Sequence, residues 1–83
     1  PEPANELKTL LGQAEVLKKN RVLTQSLRYD EDAHKAQLTL SEGAETKDLV
    51  PILKLQAEIH DLLGDYGRST EFEQKAVLLK FRR

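Results

Sequence analysis

The stretch from Ile52 to Leu79, ILKLQAEIHDLLGDYGRSTEFEQKAVLL, constrains the fold more than any other part of the chain. In its first half Ile52, Leu55, Ile59 and Leu62 recur at 3-4-3 spacing, one face of a helix. In its second half Ser69, Phe72, Ala76 and Leu79 repeat that spacing. Between them, Leu63-Gly64-Asp65-Tyr66 reads as a tight turn. Gly64 suits the position just past a helix end, where a positive φ penalises a Cβ. Asp65 suits the N-cap of the next helix, its carboxylate accepting from the free N–H groups of the first turn. Two apolar stripes joined by so short a link must face each other, so the segment is an αα-hairpin.

Upstream, Pro1 to Pro3 is expected to be extended, since each proline restricts itself and its predecessor. Asn5 is the expected N-cap of a first helix whose stripe is Leu7, Leu10, Leu11, Ala14 and Leu17. Gly12 inside it costs up to about 1 kcal/mol relative to Ala, which close approach of another helix would explain. The helix should end at Lys18-Lys19-Asn20, where cations offset the dipole and Asn tolerates the left-handed conformation.

A second helix carries Val22, Ser26, Tyr29, Ala33, Ala36 and Leu40 on one face, widened by Leu23, Leu27 and Leu38. The unbroken phase favours a continuous helix over a break at Arg28-Tyr29-Asp30 with Asp30 as a fresh cap. Ser41 to Thr46 reads as a loop with Gly43 as helix stop, and Asp48 as the cap of the third helix in preference to Thr46. Pro51 then falls early enough for its missing N–H to cost little. The expectation is an all-α chain of two antiparallel hairpins with helices at about 4–19, 21–42, 48–63 and 66–82.

The second hairpin resembles a tetratricopeptide repeat. Gly64, Asp65 and Tyr66 followed by Ser69, Phe72 and Ala76 match that family's turn and second helix in order and spacing, and Ala57 matches the small residue of its first helix. Leu53 stands where the family usually has a large aromatic, and Gln56 where it has leucine. Leu11-Gly12 resembles the family's leucine-glycine step, which pairs Gly12 with Ala57 at an interval of 57 − 12 = 45 residues. That interval is nearer the roughly 40–47 residues of armadillo and HEAT units than the roughly 34 of a tetratricopeptide unit. The turn chemistry favours the tetratricopeptide reading, as a right-handed solenoid fragment; a HEAT-like unit and a plain four-helix bundle are the alternatives.

Composition narrows the function classes. Charged residues make up 33% of the chain, yet net charge is −1, so the signs are interleaved as on solvated helix faces. A nucleic-acid partner usually brings a basic excess. The clusters Lys18, Lys19, Arg21, Arg28 and Lys80, Arg82, Arg83 read as helix-end charges. With no cysteine there is neither disulfide nor thiolate metal site, and a cytoplasmic setting is expected. No apolar run approaches the roughly 20 residues that span a bilayer, and the N-terminus lacks a signal-peptide layout. The chain opens on Pro1, as after initiator removal or as a piece of a longer protein.

No constellation for catalysis, cofactor or metal emerges. His34 and His60 each read as a partly exposed helix-face histidine, and His34 with Asp30 or Glu31 offers two ligands where zinc needs three or four. Asp30, Glu31 and Asp32 read as a solvated trio with ordinary pKa values. No serine sits in a Gly-x-Ser-x-Gly elbow, and no glycine-rich phosphate loop is present.

What the resemblance implies is a groove lined by the first helix of each hairpin, receiving an extended peptide or an amphipathic helix. It assigns Thr9, Gln13 and Val16 to that groove from the first hairpin, and Lys54, Glu58 and Asp61 from the second. Lys54 fits a position of the family's carboxylate clamp, but Glu58 replaces an asparagine with like charge. The expected role is a non-catalytic protein-interaction scaffold or adaptor. The alternative is a structural bundle for homo-oligomerisation. Two units are fewer than the roughly three that repeat proteins commonly need, which implies a larger array, self-association or a completing partner helix. Leu78, Phe81, Leu49 and Leu53 are the candidate seam.

Overall fold

The computed structural model describes residues 3–82, among which there are four helices and no strand. They are α1 (Pro3–Lys19), α2 (Leu23–Leu40), α3 (Val50–Leu62) and α4 (Tyr66–Lys80), with a 3-10 turn at Lys47–Leu49 leading into α3. The expected extended Pro1 and Glu2, and Arg83 of the terminal basic cluster, lie outside the described residues.

The turn between α3 and α4 forms as its residues dictate. Gly64 takes φ +82°, and the Asp65 N–H reaches back 2.8 Å to the carbonyl of His60. Asp65 Oδ1 then caps α4 by accepting from the Arg68 N–H at 3.4 Å. The same geometry closes α1 against α2. Arg21 has φ +62°, and the Val22 N–H reaches the carbonyl of Leu17 at 2.9 Å. Arg21, not Asn20, holds the left-handed conformation. The residue preceding the N–H that bonds across the turn must reverse the chain, whatever its side chain.

The two hairpins are copies in register. Ser26 Oγ donates to the carbonyl of Ala14 at 2.5 Å, and Ser69 Oγ to that of Ala57 at 2.8 Å. Both members are offset by 43 residues, 57 − 14 and 69 − 26. The turn residues Arg21 and Gly64 share the offset, as do Ala33 and Ala76. Ala14, not Gly12, is thus the counterpart of Ala57. Gly12 is exposed, with nothing within 4 Å of where a Cβ would stand, so no helix approach explains it.

Other boundaries shift for local reasons. α1 already includes Pro3, so Asn5 is no N-cap; its carbonyl accepts from Thr9 Oγ1 at 3.0 Å. Thr46, not Asp48, opens the third helical run, its Oγ1 accepting from the Asp48 N–H at 3.3 Å. The 3-10 turn that follows keeps Pro51 in the first turn of α3. α2 is continuous through Tyr29, but its buried line is Ser26, Asp30, Ala33 and Gln37. The short Ser26–Ala14 bond holds the α1 and α2 backbones close, so small side chains fit along that line while Tyr29 turns outward.

α3 is the centre of the molecule, with Ile52, Leu53, Leu55, Gln56, Ala57, Ile59 and His60 all buried. Leu55 and Ile59 pack with Ala14, Leu11, Leu23 and Leu27 of the first hairpin. Leu49, Ile52 and Leu53 pack with Ala76 and Leu79 of α4, joined by Leu7, Leu38 and Phe72. Leu49 and Leu53 are therefore core residues, not an external seam: the 3-10 turn carries Leu49 inward against α4. Leu62, at the turn end of the stripe, is exposed.

Between α1 and α4, and between α2 and α4, no pair of described Cα atoms comes within 8 Å. The helices thus form an open array, a slab of 32 × 31 × 14 Å, in which α3 meets both neighbours and α4 has one side free. Among the described residues no helix is long and apolar enough to cross a membrane.

Candidate helix-binding surface

The free side of α4 carries the three most exposed large apolar side chains among the described residues, Tyr66, Leu78 and Phe81. Val77 is 51%, Tyr66 66%, Leu78 72% and Phe81 73% exposed. Together with the edge of α3 this side forms a groove of about 780 Å³. Lys54 and Glu58 form one wall and Thr70, Glu73, Gln74 and Leu78 the other, with Ala76 and Val77 between. The mixture of apolar floor and charged rim suits recognition of an amphipathic segment.

The 43-residue register explains why this surface exists. Leu23, Leu27, His34 and Leu38 lie on the side of α2 turned to α3, and the three leucines pack into its clusters. Their counterparts on α4 are Tyr66, Thr70, Val77 and Phe81. What in the first hairpin is covered by α3 is, in the second, covered by no helix among the described residues.

Of the residues assigned from the sequence, Lys54, Glu58 and Asp61 form one exposed stripe along α3, and the first two line the groove. Glu58 is also tied to α1 through Lys18 Nζ at 2.5 Å. Thr9, Gln13 and Val16 are exposed on α1. At about 100° per residue they stand roughly 140–180° around that helix from Lys18 and Leu11, which meet α3. The structure therefore does not bring the two triplets together. A register two residues off turns a helix face by about 200°. In the true register the counterparts of Lys54, Glu58 and Asp61 are Leu11, Glu15 and Lys18. The missed signal was the identical tripeptide Gln13-Ala14-Glu15 and Gln56-Ala57-Glu58, together with the serine pair.

The ionisable groups differ widely in burial and in their partners. Asp30 is fully buried, and neither carboxylate oxygen has a hydrogen-bond partner. Burial, reinforced by the charges of Glu31 and Glu15, raises its pKa from 3.8 to about 8. The solvated trio is thus corrected to a pair, Glu31 and Asp32. Three consecutive helical positions fan over about 200°, and α2 lies between α1 and α3, so one of the three must point inward. Asp30 lines neither groove.

His34 lines a second groove of about 580 Å³ with Arg28, Glu31, Lys35 and Phe72. Burial first, then the nearby Lys75 ammonium, lowers its pKa, with Gln56 and Glu45 acting in the opposite direction. His60 is buried, not partly exposed, and stacks on Phe72 with ring centroids 5.3 Å apart and planes 5° from parallel. Its Nδ1 lies 3.7 Å from Asp65 Oδ2 across the turn. No group of three or more His, Cys, Asp or Glu side chains that could hold a metal occurs among the described residues. Comparison with protein-family models, curated proteins and solved structures finds no match to this chain.

Proposed function

We propose that the chain is a non-catalytic protein-interaction module, a stack of two tetratricopeptide-type hairpins that receives an amphipathic helix of a partner between α3 and α4. One observation carries this reading: the groove walled by Lys54 and Glu58 on one side and by the free apolar side of α4 on the other. Contiguous exposed apolar surface rimmed by charge is a common mark of an interaction site. The open array supports a binding scaffold over a closed bundle, since a closed four-helix bundle would bring α1 beside α4.

The reading is tested by panning a display library of random amphipathic helices on the folded chain. Selected helices should lose binding to a Val77→Asp variant whose circular dichroism and melting are unchanged. A library that yields no helix dependent on Val77 contradicts it.

A further inference from the structure

We propose that the partner helix carries the apolar face of α3 with one charge reversed: aliphatic residues at i, i+3 and i+7 and a lysine or arginine at i+6. This rests on the helix-binding reading above and names its partner by chemistry. The first hairpin holds its own α3 in the place that the second hairpin leaves open; α3 meets it with Leu55 and Ile59 and, at the same spacing, with Ile52, whose cluster takes in Leu7, Leu11 and Leu38 of the first hairpin as well as Ala76 and Leu79 of α4. The rim contact of that interface is Lys18 Nζ to Glu58 Oε2 at 2.5 Å. In the second hairpin the counterpart of Lys18 is Asp61, exposed on the same edge. The position matching Glu58 in an incoming helix therefore faces a carboxylate instead of an ammonium, and a basic residue there restores the pair. Glu73 on the opposite wall adds a second carboxylate, whereas Glu58 is already paired with Lys18 and Lys54 brings an ammonium to the α3 wall.

A second copy joining head to tail would present α1 to this groove, and α1 is unsuited to it. The counterparts of Ile52, Leu55, Gln56 and Ile59 are Thr9, Gly12, Gln13 and Val16. That face is polar or small at every position but one, as the outer face of a terminal repeat usually is. A foreign helix with an aliphatic stripe buries more apolar surface against Val77 and Ala76 than α1 does.

The chain itself supplies the probe. Two synthetic peptides of Val50–Leu62 are titrated into the full chain, one with the natural sequence and one carrying Glu58→Lys. The Glu58→Lys peptide is expected to bind about 3- to 10-fold more tightly, the scale of an exposed pair gained and a like-charge contact removed. Val77→Asp and, independently, Leu78→Lys should abolish binding while melting is unchanged, and Asp61→Lys should reverse the preference between the peptides. Equal affinities, no binding of either peptide, or binding that survives both groove variants overturns the proposal. So does a dimer in sedimentation that Val77→Asp dissolves and the peptides do not displace, since a second copy then fills the groove. If helices from the display library bind through Val77 while both α3 peptides fail, the partner pattern falls and the helix-binding groove stands.

Discussion

The two hairpins share a turn, a serine-to-carbonyl bond and a 43-residue register, yet differ in how well each position suits its environment. The second hairpin has Gly64 where the chain must adopt a positive φ; the first has Arg21. The second exposes Glu73 to water, whereas the first buries its counterpart Asp30. Conversely, the first hairpin's apolar side is covered by α3 and the second's is bare. Repeated geometry therefore does not mean repeated energetics: what one hairpin loses in strain and a buried carboxyl, the other lacks in coverage.

Paired substitutions 43 residues apart sharpen that contrast. The largest effect belongs to Ile59→Ala. Ile59 is fully buried at the junction of α3 with both helices of the first hairpin, so truncation should cost about 4 kcal/mol in urea unfolding. Val16→Ala, its exposed counterpart, should stay within about 0.5 kcal/mol; similar losses at both sites would break the asymmetry.

Next comes the pH dependence of stability. The folded pKa of Asp30, about 8, exceeds its unfolded value of 3.8, so between these limits the fold holds a proton that the unfolded chain releases. Its contribution is complete below pH of about 4 and is lost as pH rises to about 8. His34 works the other way, its lowered pKa making stability fall as pH drops below about 6.5. The difference between wild type and Asp30→Asn across pH 4–8 isolates Asp30, and the variant should be flatter and more stable at pH 8.

Smaller again is the serine pair. Ser26→Ala removes a buried bond to the Ala14 carbonyl, which keeps its partner within α1, and should cost about 1 kcal/mol; Ser69→Ala should cost about half as much because its bond is only partly buried. Smallest is the turn: Arg21→Gly should stabilise by about 0.5–1 kcal/mol and Gly64→Ala should destabilise by about 1, both measured as shifts in thermal midpoint.

The parts of this fold that were legible in the sequence are those where a residue type suits its conformation. Gly64 and Asp65 announce a reversal because a positive φ and an N-cap each favour few residues. Arg21 announces nothing, since a long cationic side chain is a poor occupant of the left-handed region and is held there by the hydrogen bond across the turn. Asp30 was hidden for a similar reason: charge predicts exposure, and its burial follows from α3 packing over α2, a long-range fact. On the candidate surface, Lys54 and Glu58 were legible as the polar face of α3. Thr9, Gln13 and Val16 were misplaced because Leu11-Gly12 set the register, when the repeated Gln-Ala-Glu and the serines carried the true one. The free side of α4 became visible only once it was known that α3 covers α2 and that no described helix covers the side of α4 turned away from α3.

The most direct test extends the chain. A second copy of residues 41–62, carrying Glu58→Lys, is appended at position 84, the place that the 43-residue register assigns to the counterpart of Ser41. The account predicts a higher melting temperature and slowed amide exchange in α4 around Val77 and Leu78, as the added helix settles where α3 sits in the first hairpin. An appended segment that exchanges as unfolded chain, with melting and α4 protection unchanged, would contradict it.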